Sequence, residues 1–476
     1  MNSLDDTIAA IATASGEAGL AVVRVSGPLA FEIADRAFSG AAPLAAAPSH
    51  TLHHGWAVRR AAGSRGAAAE RIDEVVAAVF RAPRSYTRED VVELSCHGGR
   101  LPGLRVLEAL IESGARFAAP GEFSLRAFLN GRIDLAQAEA VADVIHAETD
   151  AARSLALAQL SGSLSRRLRG LAEPLNDVLA EIEARVDFAE DVGGVEVPPH
   201  ALASLEAATA ELAQLLEHAA YARAVRDGAR VPIVGRPNVG KSSLFNALLG
   251  ETRALVTELA GTTRDRVSES VEIAGVRVAL SDTAGIRDDA GRVEALGIAM
   301  SEAMLAECPV AIWVIDSAAP LDAADLALAA RFAGKRVIVA LNKADLPAHV
   351  TGAEVSRVIE GACAGEEVAR PWVACVACSA AQGTGLDALR AAVVDALGGG
   401  ARAGLAMAVS NPRHADALRR ARGALERATA CGHEGAPGEI VAIELREGLA
   451  AIGEVTGHGV DPDLLDKIFG RFCIGK

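Results

Sequence analysis

Eight residues in a row, Gly235-Arg236-Pro237-Asn238-Val239-Gly240-Lys241-Ser242, have the types and spacing to grip a chain of phosphates. The two glycines let backbone N–H groups come close to phosphate oxygens. Lys241 offers a compact cation to the β- and γ-phosphates, and the Ser242 hydroxyl suits Mg2+. The apolar run Val231–Val234 leads into the loop and a helical stretch from Ser243 to Leu249 leaves it, the strand–loop–helix setting that this pattern needs. Asn238, Val239, Gly240, Lys241, Ser242 and Ser243 are therefore the candidate phosphate-side contacts.

Three further groups follow in order. In Gly261-Thr262-Thr263-Arg264-Asp265, Thr263 can reach the metal and sense the γ-phosphate. Asp282-Thr283-Ala284-Gly285 follows the apolar run Val276–Leu280 and puts Asp282 in the second Mg2+ role. Asn342-Lys343-Ala344-Asp345 follows Val337–Leu341. A carboxylate at Asp345 accepts from both N1–H and the 2-amino group of guanine; adenine lacks those donors, and a site built to pair them rejects it by a large factor. Ser379 and Ala380, after the run Trp372–Cys375, would back the base. The ordered set specifies GTP. Ras-type GTPases place a water-orienting Gln just after the Asp-x-x-Gly group, but here the chain reads Gly285-Ile286-Arg287-Asp288. Asn238 and the segment Thr257-Glu258-Leu259-Ala260-Gly261-Thr262 are candidates for holding an extra cation where an arginine finger would sit, and Glu294 for orienting the water. On residue chemistry alone, an exposed helical carboxylate is the commoner identity for Glu294.

The elements that must position these groups are legible from pattern. Residues 228–397 alternate strand and helix. Residues 1–125 mix β-like runs (Leu20–Val25, Val75–Phe80, Val91–Leu94) with a helical pattern at Leu104–Ile111, an α+β reading. Residues 126–227 carry a stripe of Leu160, Leu164, Leu168, Leu171, Leu175, Val178, Ile182 and Val186, and a second from Leu202 to Leu216. Residues 398–476 are helical again. Two helical segments whose stripes need partners flank the α/β segment, so the expectation is one discontinuous helical domain with an α/β domain inserted in it. The uninterrupted Ala37–Val58 stretch holds no Asp, Glu, Lys or Arg, but its Gly, Pro and His residues read as a loop and not as a membrane span.

Composition narrows the class. With 476 residues, 51% hydrophobic and 23% charged, the chain can bury several cores. Its net charge of −15 argues against a protein that holds nucleic acid mainly by its own charge, and 3% aromatics against a base-stacking surface. The four segments carry −2, −8, −5 and 0, so the deficit sits mainly in the first helical arm. Seven cysteines with one Cys375-x-x-Cys378 pair and an acidic, polar start suggest a reduced, cytoplasmic protein without a signal peptide. Only five lysines occur, and Lys241, Lys343 and Lys476 fall in motifs.

The chain resembles the MnmE (TrmE) family of tRNA-modifying GTPases over its full length. The motifs are Thr7–Gly27, Ser85–Gly99, Pro120–Glu139, the nucleotide groups above and the terminal Phe472-Cys473-Ile474-Gly475-Lys476. The resemblance implies a multidomain α/β plus α protein. It would have an N-terminal α+β tetrahydrofolate-binding and dimerisation domain (1–125) and a helical domain in two parts (126–227 and 398–476). A Ras-like P-loop G domain (228–397) would be inserted between them. It implies folate contacts at Arg24, Glu93, Arg132 and Lys476, with Arg132 standing where most members have Lys. Cys473 matches a cysteine of the modification chemistry, and Glu294 the catalytic glutamate. K+ would be held by Asn238, Thr257, Leu259 and Thr262, and Mg2+ by Ser242 and Thr263. A homodimer would work with an FAD-containing partner, MnmG (GidA), as a heterotetramer or larger complex on tRNA. Together they would install an aminomethyl or carboxymethylaminomethyl group on C5 of the wobble uridine. The acidic excess would leave most phosphate neutralisation to the partner. The alternatives on the G-domain motifs alone are a ribosome-assembly GTPase acting as an RNA-binding switch, or a GTP-driven scaffold; the former class carries a basic RNA-binding module.

Overall fold

The computed structural model describes residues 5–14, 16–60, 69–187, 197–250, 268–282, 308, 310–332, 335–362, 372–399 and 408–476. They form two compact units. The first joins Met1–Ala142, Leu160–Arg166 and Ile452–Lys476, and the second joins Asp143–Gln159 and Arg167–Ala451.

The first unit is built on a seven-stranded sheet of order β3-β4-β5-β6-β2-β1-β7. Its strands are β1 (Ile8–Ile11), β2 (Leu20–Ser26), β3 (Phe38–Gly40), β4 (Thr51–Arg59), β5 (Glu70–Phe80), β6 (Val91–His97) and β7 (Arg116–Phe117). Alternation sets the two faces. Along β2, Ala21, Val23 and Val25 are buried in one core with Ile33, Val106 and Leu110 of the helices Ala30–Ala37 and Arg100–Glu112. The opposite face carries Leu20, Val22 and Arg24, which pair across the ladder with His97, Ser95 and Glu93 of β6.

The stretch Ala37–Val58 is not a loop: it supplies β3 and most of β4. Its glycines punctuate packing and not a turn. A Cβ on Gly55 would lie 2.5 Å from the Phe38 ring and 2.6 Å from the Ser39 carbonyl oxygen, and one on Gly40 would lie 2.5 Å from the same ring. The His residues also serve separate partners, His54 pairing with Glu74 at 2.7 Å and His53 with the Thr51 hydroxyl at 2.8 Å.

A smaller core of Leu135, Ala138, Leu465, Phe469 and Phe472 ties the end of the chain into this unit. Beside it runs an ionic network centred on Arg126, which is 1% exposed. Its guanidinium meets Glu89 at 3.0 Å, Glu122 at 3.1 Å and the Asp6 carboxylate. Burial pulls Arg126 toward losing its proton, but the fields of Glu89, Asp6 and Glu122 outweigh it and raise its pKa.

The second unit holds a six-stranded sheet of order β13-β12-β11-β8-β10-β9. Its strands are β8 (Ala229–Val234), β9 (Ser268–Ile273), β10 (Val276–Asp282), β11 (Val310–Asp316), β12 (Arg336–Asn342) and β13 (Trp372–Ala377), all paired in parallel except β9 with β10. The central strands β11 and β12 are continuous apolar runs buried on both faces, as parallel sheets require. The leucine stripe of the helix Ser163–Asp187 is its buried side, from Leu164 to Ile182. The helix Pro199–Glu217 packs on Pro412–His433, so helices on either side of the α/β segment in sequence meet in space. The turn of the β9–β10 hairpin is pinned by Thr149, whose hydroxyl donates to the Gly275 carbonyl at 2.8 Å, and by an ion pair between Arg277 and Glu148 at 2.8 Å.

Gly55→Ala should force the Phe38 ring or the β3 backbone to move and destabilise the first unit by about 1–3 kcal/mol, the usual range for overpacking. Hydrogen exchange of the β3 and β4 amides across a urea series checks this; a midpoint equal to the parent's would contradict the packing argument.

Candidate functional site

The phosphate loop leaves β8 and closes on the helix Lys241–Gly250. Asn238 and Gly240 lie at φ +62° and +96°, which curls the loop into a cup. Lys241 is 7% exposed and its Nζ donates to the carbonyls of Gly235 and Arg236, each at 2.9 Å. The ammonium thus sits across the mouth of the loop. A Cβ on Gly240 would lie 2.3 Å from Asn342 Nδ2, so only glycine admits the neighbour that organises the site.

That neighbour is Asn342, at the end of β12 and 2% exposed. Its Nδ2 donates to the Val239 carbonyl at 2.9 Å, and its Oδ1 accepts from Ala380 N–H at 3.0 Å. One amide therefore joins the phosphate loop to the loop that would back the base. Ser379 is fully buried there, its Oγ accepting from Gln382 N–H at 3.2 Å. Ala344 N–H reaches the Cys378 carbonyl at 3.0 Å, leaving Asp345 exposed beside this loop. Lys343 bonds Asp316, at the end of β11, at 2.6 Å. Burial would push the Asp316 carboxyl up, but the Lys343 hydrogen bond, the Ala318 N–H and the fields of Lys343 and Arg236 hold it below its ordinary value.

These residues lie together at the phosphate loop and the ends of β11 and β12, with Ser242 and Ser243 exposed at the helix start. Asp282 ends β10 beside β8, with Ile233 as its register partner. Thr257, Glu258, Leu259, Ala260, Gly261, Thr262, Thr263, Thr283, Ala284, Gly285 and Glu294 lie outside the described residues.

A second cluster forms within the first unit. Arg24 and Glu93 face each other across β2 and β6, with Nε and Nη2 of Arg24 both 2.7 Å from Glu93 Oε1. The Arg24 guanidinium lies 5.4 Å from the Tyr86 ring centre and 5.5 Å from that of Phe123. Arg132 stacks on Tyr86 at 4.7 Å and donates to its carbonyl at 2.8 Å. Arg24 Nη1 makes a long 3.5 Å contact to the Gly475 carbonyl. A Cβ on Gly475 would lie 2.3 Å from the Ile11 carbonyl oxygen, so the terminal turn, closed by Lys476 N–H to the Cys473 carbonyl at 3.3 Å, rests directly on β1. Cys473 is exposed on that turn. Arg24, Glu93, Arg132 and the turn bearing Cys473 and Lys476 thus meet around Tyr86.

Other residues separate from chemistry. Burial raises the Cys375 thiol and, more strongly, pushes Cys378 up to about 11, so neither favours a metal-binding thiolate. His97 ends β6, its Nδ1 2.7 Å from Asp73, which raises its pKa through that hydrogen bond and its charge.

The family model "GTP-binding protein TrmE N-terminus" matches residues 7–132 and "MnmE helical domain" matches residues 135–473. The tRNA modification GTPase MnmE of Chloroflexus aurantiacus is 45% identical over 482 residues, covering 99% of this chain and 100% of that one. This chain belongs to the MnmE family of tRNA modification GTPases. Family members named tRNA modification GTPase MnmE from Symbiobacterium thermophilum (45% identical, 99% of this chain and 100% of that one) and Geobacillus kaustophilus (42%, 99% of each) match equally end to end. The MnmE family match thus spans both clusters.

Sequence reasoning missed Tyr86, Arg126, Asp316 and the bridging geometry of Asn342. Tyr86 and Arg126 do lie inside motifs quoted for the resemblance, Ser85–Gly99 and Pro120–Glu139, which is the signal that could have flagged them.

Asn342→Ala would leave the buried Val239 carbonyl and Ala380 N–H without their partner. Each lost bond of this kind costs about 1–3 kcal/mol, so the dissociation constant for a fluorescent GDP should rise by roughly 10- to 100-fold. A constant within twofold of the parent's in a fluorescence titration would contradict the bridge.

Proposed function

We propose that this chain is a GTP hydrolase that works as a homodimer with an FAD-containing MnmG-type partner. The two proteins add an aminomethyl or carboxymethylaminomethyl group to C5 of the wobble uridine of certain tRNAs, using a tetrahydrofolate one-carbon unit. The observation that carries the reading is the meeting of Arg24, Glu93, Arg132 and the terminal turn around Tyr86, in a chain whose other unit holds a guanine-type nucleotide cradle.

The residues fit the groups they would hold. In the first unit, both Arg24 contacts fall on Oε1 of Glu93, so Oε2 is left for the N–H donors of a pterin edge. Arg132 and Lys476 supply cations for the glutamate carboxylates of a folate, Arg132 as a planar fork. Cys473 is accessible on the same turn. The face bearing Arg24 also exposes Leu20 (63%), Leu52 (73%) and Val76 (38%), an open sheet surface suited to a second copy of the chain.

In the second unit, Lys241 and the loop N–H groups would neutralise the β- and γ-phosphates, and Asp345 would read guanine. Ser242, Thr263 and Asp282 would hold Mg2+, which neutralises developing phosphate charge when bound. Asn238, Thr257, Leu259 and Thr262 would hold K+ in the position of an arginine finger, and Glu294 would orient the attacking water. The net charge of −15 supports a division of labour in which the partner supplies most of the surface that neutralises tRNA phosphates. The family membership favours tRNA modification over ribosome assembly.

Mass analysis of tRNA from a strain lacking this chain should find wobble uridine without its C5 substituent. The parent gene should restore the substituent, and Glu93→Ala should not. Unaltered uridine modification in the deletion strain would refute the reading. GTP turnover should be at least tenfold faster in K+ than in Na+, the scale of one well-placed transition-state charge; equal rates in the two salts would remove the cation from the mechanism.

A further inference from the structure

The segment leaving β11, Asp316-Ser317-Ala318-Ala319-Pro320-Leu321-Asp322-Ala323-Ala324-Asp325, belongs to none of the nucleotide motifs, yet it carries three carboxylates that all face cations of those motifs. Arg236, the second residue of the phosphate loop, meets Asp322 Oδ2 at 2.7 Å and Asp325 Oδ2 at 3.6 Å. The carbonyl of the same Arg236 accepts from Lys241 Nζ. Lys343 of the base-side group meets Asp316 at 2.6 Å. Backbone bonds stitch the segment to the base side as well, with Ser317 N–H donating to the Asn342 carbonyl at 2.9 Å.

The segment is itself rigid. Asp322 caps the helix Ala323–Ala329: its Oδ1 accepts from the N–H groups of Ala324 and Asp325, and Asp325 Oδ2 accepts from Asp322 N–H in return. Asp325 is fully buried, and among the described residues its Oδ1 has no hydrogen-bond partner. A carboxylate placed at that cost beside Arg236 does more than cap a short helix. The two oxygens of Asp322 divide the work, Oδ1 holding the helix and Oδ2 holding the phosphate loop.

We propose that the segment leaving β11 is an acidic bracket that sets the phosphate loop and the base-side loop in register, with Asp322 and Asp316 as positioning residues for nucleotide binding. Asp322 acts through Arg236, whose carbonyl helps place Lys241. Asp316 acts through Lys343, whose neighbours Asn342 and Asp345 define the base end. The two carboxylates therefore govern different parts of the nucleotide: Asp322 the phosphates, Asp316 the guanine.

The test uses the full-length protein, a fluorescent GDP, and competition by GDP and inosine diphosphate, which lacks the 2-amino group that Asp345 would accept. Asp322→Asn is the informative variant, because Asn caps helices as well as Asp does but removes the charge from Arg236. Asp322→Asn and Arg236→Ala should each weaken GDP binding about fivefold, as expected for a half-exposed pair. The double variant should be no weaker than either single one, and the GDP-to-inosine ratio should stay at the parental value. Asp316→Asn should lower that ratio about threefold, again the scale of a partly exposed pair, and Lys343→Gln should repeat the effect from the other side if Asp316→Asn does not fold. The proposal is overturned if Asp322→Asn and Arg236→Ala bind GDP as the parent does, if their effects multiply in the double variant, or if both Asp316→Asn and Lys343→Gln keep the parental ratio. A lower melting temperature with unchanged dissociation constants would mark a purely structural ion pair and would also overturn it.

Discussion

Both functional clusters hang on a backbone approach too close for any side chain. In the second unit Gly240 lets the amide of Asn342 lie against the phosphate loop, where a Cβ would be 2.3 Å away. In the first unit Gly475 lets the terminal turn lie on β1, where a Cβ would be 2.3 Å from a backbone atom, the Ile11 carbonyl oxygen. Since real Cβ contacts do not occur at that range, these two places fix the relation between segments far apart in sequence. Everything polar around them is then positioned against a rigid reference: Asn342 against Val239 and Ala380, Arg24 against Glu93 and the Gly475 carbonyl.

The ionic design differs between the two units. In the first, one buried guanidinium, Arg126, gathers three carboxylates from the start of β1, the loop before β6 and a helix. That arrangement holds the Ser85–Glu89 loop, and with it Tyr86, because Glu89 also accepts from Ser26 at 2.5 Å. Removing a partner from so buried a group would strand a charge, whereas the group as a whole contributes specificity of placement more than net stability. In the second unit the carboxylates lie on one segment and the cations on the two loops it serves. Neither arrangement involves the nucleotide's own charge, which is left to Lys241 and the backbone N–H groups.

What the sequence disclosed follows from the range of the interactions. The runs Val231–Val234, Val276–Leu280, Val337–Leu341 and Trp372–Cys375 are all strands, extended by one or two residues, because a buried parallel strand is written in its own composition. The stripe from Leu164 to Ile182 is the buried side of its helix for the same reason. The phosphate loop is legible because its defining residues are contiguous and Lys241 bonds carbonyls only five and six positions away. Ala37–Val58 misled because its glycines and histidines have local meanings that the Phe38 ring and Glu74 override from outside. The Arg126–Asp6 bond spans 120 residues and the Arg236–Asp322 bond 86, and no periodicity encodes such pairs. Tyr86 is hidden in the sequence for a related reason: its partners Arg24 and Arg132 lie far from it along the chain.

The core of Leu135, Ala138, Leu465, Phe469 and Phe472 has a consequence for biosynthesis. The first unit needs residues from both sides of the second, with Ala142 and Ile452 separated by about 310 positions. At roughly 5–20 residues per second on the ribosome, the early part of that unit waits about 15 to 60 s for its closing helix. During that interval the faces of Leu135 and Ala138 lack their partners, while the nucleotide-binding sheet receives its last strand, ending at Ala377, about 75 positions before Ile452. The order of synthesis therefore favours a chain whose GTP-binding half is folded before the site around Tyr86 is closed by its last residues.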